Sequence, residues 1–227
     1  MIKRLLNGLL DFIIPPVCVS CGNFNEHKER FICGKCRKKL ERYDNIHPWR
    51  DIFISKGYID NSLSLYRFIK DTPIQYLVHS LKYEKMKTIG VMLGKEIAAV
   101  IPPGIKFDFL VPVPLHHSKE RERTYNQSEF ICKGISAITG APVLPALLKR
   151  SRFTESQTKK DRLQRTENVK GAFEINVKQK ALIPGKNIIL ADDVITTGST
   201  ILECARILKE NNAGYVLVCS AAYDALD

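Results

Sequence analysis

Apolar residues recur along the chain in two alternating rhythms. Leu5, Leu6, Leu9, Leu10 and Ile13 stand at helical spacing and Pro15-Pro16 follows, so residues 2–14 read as a short amphipathic helix stopped by the prolines. Ile52–Tyr58 and Ser62–Phe68 alternate around Asp60-Asn61, which predicts a β-hairpin. From Thr72 to Val100 the spacing is helical, with a break near Glu84–Thr88. After Pro102-Pro103-Gly104, Phe107–Val113 is a short, almost wholly apolar run, the kind of strand buried on both faces of a parallel sheet. Residues 118–139 read as a helix and Val143–Leu148 as a further strand, whereas 150–170 is polar, basic and weakly patterned and reads as a mobile segment. Asn187–Leu190, Ser199–Asn211 and Gly214–Ala221 follow as strand, helix and strand. Strands alternating with helices from about residue 60 predict an α/β fold built on a doubly wound parallel sheet.

The length, 227 residues, suits one such domain plus a small appendage. With 44% hydrophobic and 26% charged residues the chain is neither disordered nor a disulfide-dense miniprotein. The net charge of +11 is uneven: residues 1–50 carry +5 and 111–170 carry +6, while 171–227 carry −2. Such basic blocks keep a protein soluble, and they can also face a polyanion. The N-terminal apolar run is broken by Asn7, Gly8 and Asp11, lacks a small-residue cleavage site, and is about half the ~20 residues of a membrane span. A cytoplasmic protein is expected. For the 1–15 helix, docking on the neighbouring domain is the first reading; contact with the inner face of a membrane through Lys3 and Arg4 is the second.

Four of the seven cysteines are grouped as Cys18-x-x-Cys21 and Cys33-x-x-Cys36, separated by eleven residues. Each two-residue gap lets both sulfurs of a knuckle reach one ion, which predicts a closed, structural Zn2+ site. Gly22 and Gly34 follow the second and third cysteines, where a tight knuckle favours a backbone without Cβ. Cys132, Cys204 and Cys219 sit in apolar surroundings and read as core residues.

The most informative segment runs from Ile188 to Thr200. A hydrophobic strand leads into Asp192-Asp193, then a turn of small and hydroxyl residues, then a helix. Free N–H groups at the helix start, with Thr196, Thr197, Gly198, Ser199 and Thr200, suit a phosphate. Two carboxylates a few residues upstream suit a vicinal diol and a divalent cation. A diol close to a terminal phosphate describes a ribose 5-phosphate. After the Phe107–Val113 strand, Arg121 and Arg123 supply forked donors next to a strand end. His116 and His117 read as loop histidines beside Pro114, and Lys82 and Tyr83 are left out of the site.

This segment resembles the phosphoribosyl pyrophosphate (PRPP) loop of type I phosphoribosyltransferases. Together with the cysteine ribbon, Leu81-Lys82-Tyr83, Val111–Leu115, Arg121-x-Arg123-x-x-Asn126-Gln127 and Arg165-x-x-Asn168-x-x-Gly171-Ala172-Phe173, it makes the chain similar to the ComF family, bacterial proteins linked to DNA uptake in natural transformation. Thr124-Tyr125 stands where Gly-Phe is usual in that family, and Ser199 where Ala is common. The resemblance implies that Asp192 and Asp193 hold the ribose hydroxyls with Mg2+ and that residues 196–200 hold the 5-phosphate. Pyrophosphate would lie on the Arg121 and Arg123 side. In the basic stretch from Arg150 to Arg165, Arg162 and Arg165 would belong to a lid. It implies a division into a helix at 1–15, a ribbon at 16–43, a linker and start of the hood at 44–59, and a phosphoribosyltransferase-like domain at 60–227. Single-stranded DNA and DNA-uptake helicase or processing proteins are the implied partners, with Trp49, Tyr58 or Tyr125 available for stacking. The alternatives are an active, amidophosphoribosyltransferase-like enzyme with a nitrogenous acceptor, and a PRPP-sensing regulator.

Overall fold

The computed structural model describes residues 16–25, 31–43, 50–151 and 169–224. In chain order the elements are α1 (Gly34–Arg37), α2 (Arg50–Ser55), β1 (Asn61–Arg67), α3 (Pro73–Tyr83), α4 (Lys87–Ala98), β2 (Phe109–Pro112), α5 (His117–Arg123), α6 (Gln127–Thr139), β3 (Leu148–Arg150), β4 (Phe173–Ile175), β5 (Ile188–Ile195), α7 (Ser199–Glu210) and β6 (Val216–Tyr223). The expected helix at 2–14 and most of the expected mobile segment lie outside the described residues. Among the described residues no helix is long and apolar enough to cross a membrane.

The main sheet has the order β1-β6-β5-β2, and every neighbouring pair is parallel. Its central strands are apolar on both faces: Ile188 to Ala191 are all buried, and so is every residue of β6. Both faces therefore need cover. Leu81, Leu93, Ile97, Ile131 and Ile135 from α3, α4 and α6 pack with Ile189, Ala191, Leu217 and Cys219 on one side. Cys204, Ala205 and Leu208 of α7 pack with Ile188, Leu190, Val216 and Val218 on the other. The side-chain period of two along each strand sorts alternate residues into these two cores. This is the doubly wound arrangement expected.

Three local expectations are corrected. The hairpin around Asp60-Asn61 does not form, because β1 pairs with the distant β6. Asp60 accepts the Val216 N–H at Oδ2 (2.7 Å) and donates its own N–H to the Val216 carbonyl (3.0 Å), fixing the start of β1 instead of turning the chain back. Residues 50–55 are helical, with Phe53 alone turned into the core. The helix expected over 118–139 is two, broken at Thr124 in a left-handed conformation (φ 69°) and restarted by Asn126. Its Oδ1 accepts the Ser128 N–H (3.0 Å) and its Nδ2 donates to the Val113 carbonyl (2.9 Å). Finally, Val143 forms an isolated bridge with Leu110, and the strand lies later, as β3 paired antiparallel with β4.

Helices α4 and α6 are pressed together through glycine. A Cβ on Gly94 would lie 2.1 Å from the Ile131 carbonyl oxygen, and one on Gly134 would lie 2.2 Å from that of Val91. Both atoms in the way belong to rigid helical backbone. Gly94→Ala is therefore expected to cost roughly 1–3 kcal/mol through overpacking, outweighing the ~1 kcal/mol that alanine gains in an unobstructed helix. Thermal unfolding reads the difference, and a melting temperature equal to or above the wild type's would show that the helices have room to separate.

Candidate functional site

All four strands of the main sheet run the same way, so their C-terminal ends share one edge, the usual place for a ligand in such folds. Asp192 and Asp193 sit there near the end of β5. Asp192 Oδ1 accepts hydrogen bonds from the Ser128 hydroxyl (2.9 Å) and the Asp193 N–H (2.8 Å). Asp193 Oδ1 accepts the Val194 N–H (2.6 Å), and its Oδ2 lies 3.1 Å from Lys82 Nζ. Burial first, and the charge of Asp193 second, push the Asp192 carboxyl from 3.8 up to about 7, against the hydrogen bonds and Lys82 that favour its ionised form. Lys82 thus enters the site from which the sequence reading left it out. Its partner lies on a strand distant in sequence, and the Leu81-Lys82-Tyr83 motif marks the residue without naming that contact.

The next residues turn sharply. Gly198 adopts φ 75° and caps α7, while the Thr197 hydroxyl lies 3.0 Å from that of Ser199. A small cleft of about 60 Å³ is lined by Asp192, Val194 and the run from Ile195 to Ile201. Asp192 and Thr196, Thr197, Gly198, Ser199 and Thr200 are therefore brought together around one space. The turn offers amide N–H and hydroxyl donors, and the strand end offers carboxylate acceptors. Such a pairing can grip a ligand that is anionic at one end and hydroxylated nearby.

The two arginines expected beside the end of β2 differ in their surroundings. Arg121 is exposed, and Arg123 donates to Gln127 Oε1 (3.2 Å) and lies over the Tyr83 ring (5.4 Å). Lys119 is nearer to what the sequence reading sought. Its pKa is lowered by burial first, then by the like charges of Arg123, Arg150 and Lys82. Lys82, Lys119, Arg123 and Arg150 thus concentrate positive charge in one region. Arg150, the first residue of the basic stretch, is on β3 and over the Phe173 ring (5.2 Å). His116 is a helix cap, accepting the Ser118 N–H at Nδ1 (3.3 Å), with the His117 ring tilted beside it at a centroid distance of 4.0 Å. Burial, the charge of His117 and the nearby Arg150, Arg121 and Lys119 hold it below 6.5. Arg162 and Arg165 lie outside the described residues, as does Trp49. Tyr125 is buried with its hydroxyl donating to the Leu81 carbonyl, so it is not free to stack on a base.

The four grouped cysteines converge, with all four sulfurs within 4.8 Å of one another. Tetrahedral Zn2+ with bonds of ~2.3 Å needs sulfurs about 3.8 Å apart, and Cys21 and Cys33 stand at 3.8 Å. The donor set fits zinc. Gly22 takes φ 71° in its knuckle, whereas Gly34 begins α1 at negative φ with open space where a Cβ would go, so the second knuckle does not require glycine. The ribbon is docked on the larger fold. Cys18, Ile32 and Cys36 join the core that contains Ile89, Leu93 and Ile97. Glu96 of α4 accepts from Arg37 (2.9 Å), Arg42 (3.0 Å) and the Tyr66 hydroxyl (2.5 Å). Residues 41–43 run beside β1, with Tyr43 N–H bonded to the Leu65 carbonyl and Arg67 N–H to that of Glu41.

Comparison with known proteins agrees with both parts. Residues 9–46 match the double zinc ribbon domain family, and residues 87–225 match the phosphoribosyl transferase domain family. The chain is 26% identical to competence protein F of Haemophilus influenzae over 86% of its own length and 79% of that protein's. It is 26% identical to DNA utilization protein YhgH of Escherichia coli K12, over 89% and 82% respectively. With competence protein ComFC of Bacillus subtilis it shares 25%, over 86% and 72%. Among solved structures, the glutamine PRPP amidotransferase of B. subtilis with ADP and GMP is 20% identical at a TM-score of 0.40. That likeness covers 63% of this chain, which spans only 26% of the amidotransferase. Adenine phosphoribosyltransferase of Saccharomyces cerevisiae is 16% identical at a TM-score of 0.38, covering 83% of this chain and 86% of that one. The match over 87–225 takes in β2, both carboxylates and the turn before α7, and the chain belongs to the phosphoribosyl transferase domain family in its ComF-type form, with a zinc ribbon in front.

Proposed function

We propose that this protein binds PRPP with Mg2+ at the end of β5 and serves DNA uptake in natural transformation. The observation that carries the first half is the shared cleft, in which Asp192 and the Thr196–Thr200 turn line one space at the C-terminal edge of the sheet. A ribose diol and its 5-phosphate are a few bonds apart and fit that pairing. In this reading Asp192 and Asp193 accept the ribose hydroxyls and share the cation, and the turn holds the 5-phosphate. Pyrophosphate is assigned to the side of Arg121 and Arg123, where Arg123, Arg150 and Lys82 already lower the pKa of Lys119 and a polyanion would relieve that repulsion. Arg162 and Arg165, outside the described residues, keep the lid role that the ComF resemblance implies. The second half rests on the relatives named for competence and DNA utilization, which match over most of the chain.

The working division is a zinc-bearing ribbon at 16–43, a linker at 44–59 and the phosphoribosyltransferase-type domain at 60–227. Single-stranded DNA is the partner assigned to the basic ribbon, where Lys35, Lys38 and Lys39 are exposed. Arg37 is engaged with Glu96 and is not part of that surface.

One equivalent of zinc per chain is expected by elemental analysis of protein purified without chelator, falling on Cys33→Ser; well under half an equivalent in the wild type would refute the metal site. Lys38→Glu with Lys39→Glu should weaken oligonucleotide binding, and the wild type should lose affinity with salt at about −0.7 in log–log slope per phosphate neutralised. Affinity flat between ~50 and ~200 mM salt would remove the electrostatic basis.

Asp192→Asn should weaken PRPP binding roughly 10- to 150-fold, the equivalent of ~1.5–3 kcal/mol for a charge-assisted bond. The same variant carries a pH signature. Because the folded carboxyl binds its proton more tightly than the ordinary 3.8, the native state is favoured below about pH 4 and loses this advantage as pH rises toward about 7. Asp192→Asn should therefore be the more stable protein at pH 8 and show a flatter stability curve between pH 4 and 7. Titration with PRPP and Mg2+, beside thermal unfolding across pH, reads both effects; absence of PRPP binding by the wild type would overturn the proposal.

A further inference from the structure

We propose that Phe53 is a positioning residue for the phosphate-binding turn, an inference that rests on the PRPP reading of that turn. Phe53 is the one buried residue of α2, at 1% exposure, on a short surface helix whose Arg50 is tied to β1 by a bond from Nε to Asn61 Oδ1 (2.7 Å). Its ring lies against Gly198. A Cβ built on that glycine would fall 2.3 Å from Phe53 Cε1 and 2.5 Å from Cζ, far inside the ~3.5–4.0 Å at which carbon atoms pack. Gly198 is thus required twice, once by its φ of 75° and once by the ring pressed onto it.

The ring is backed in turn. It meets Tyr223 edge-on, with centroids 6.3 Å apart and planes at 66°. Tyr223 pairs with Ile195 across β5 and β6, and the Asp224 N–H donates to the Ile195 carbonyl (2.8 Å). Phe53 therefore wedges between the strand ends that launch the turn and the glycine that closes it. It is not among the residues lining the cleft, so it supports the turn from outside the ligand space. A turn that must present several amide N–H groups to one phosphate gains from being held in shape beforehand, since a floppy turn must be ordered on binding. Phe53 provides that hold.

The test is isothermal titration of the wild type, Phe53→Ala and Phe53→Leu with ribose 5-phosphate and, separately, with pyrophosphate, each with Mg2+. Thermal unfolding of Phe53→Ala, Gly198→Ala and the double variant runs beside it. Phe53→Ala should weaken ribose 5-phosphate at least tenfold and leave pyrophosphate within twofold, with Phe53→Leu between; should the alanine variant not fold, the leucine variant carries the comparison. Gly198→Ala should cost less stability in the Phe53→Ala background than alone, because the clash with the ring is gone. Unchanged ribose 5-phosphate affinity, equal weakening of both ligands, or strictly additive stability losses would overturn the role of Phe53. A wild type that takes pyrophosphate but not ribose 5-phosphate would instead overturn the reading of the turn itself, and this inference with it.

Discussion

Two carboxylates side by side at the end of a buried strand are an unfavourable arrangement, and much of the surrounding structure answers it. Like charges on adjacent residues raise each other's proton affinity, and burial adds to the effect. Asp192 responds by holding its proton to about pH 7, helped down by the Ser128 hydroxyl and the Asp193 N–H. Asp193 is matched by Lys82, whose side chain is 20% exposed against 10% for the carboxylate. Each of these partners is set in place by an element that must itself be held. Ser128 opens α6, capped by Asn126, and α6 is locked onto α4 by the Gly94–Gly134 contact. Lys82 sits on α3, whose Leu81 carbonyl receives the Tyr125 hydroxyl.

The same logic explains how much the sequence could disclose. Contiguous signals were legible: the cysteine pairs, the apolar strands, and the run from Asp192 to Thr200 each carry their chemistry in neighbouring residues. Long-range partnerships were not. Lys82 to Asp193, Ser128 to Asp192 and Phe53 to Gly198 join segments whose local patterns point elsewhere. The run Ile52–Tyr58 suggested a strand by alternation, yet only Phe53 of α2 turns inward, and one inward aromatic is served equally by a short helix. Thr124 is an instructive departure. It occupies the left-handed conformation that glycine, usual at this place among ComF proteins, adopts without steric cost. Tyr125 beside it has a hydroxyl that phenylalanine lacks, and spends it on the Leu81 carbonyl.

Glu96 gathers three donors from two segments: Arg37 and Arg42 of the ribbon and Tyr66 of β1. Burial first, and then the bond to Glu96, push the Tyr66 hydroxyl up to about 12, so it stays a donor at any ordinary pH. A single half-buried carboxylate thereby fastens the ribbon to the face of the domain opposite α7. Cys18 and Cys36 lie in the same core as α4. Metal binding and domain packing thus draw on one set of contacts.

The backbone pairing of residues 41–43 with β1 has a bearing on solubility. β1 is an edge of the main sheet, and an uncovered edge presents free N–H and C=O groups on which another molecule's strand can build. The chain leaving the ribbon occupies that edge at Leu65 and Arg67, with the Arg42 guanidinium 5.3 Å from the Tyr66 ring. A protein trimmed to its larger domain would bare this edge together with the apolar face under Ile32. The ribbon therefore acts as a shield against strand-to-strand aggregation, whatever else its metal and its lysines do.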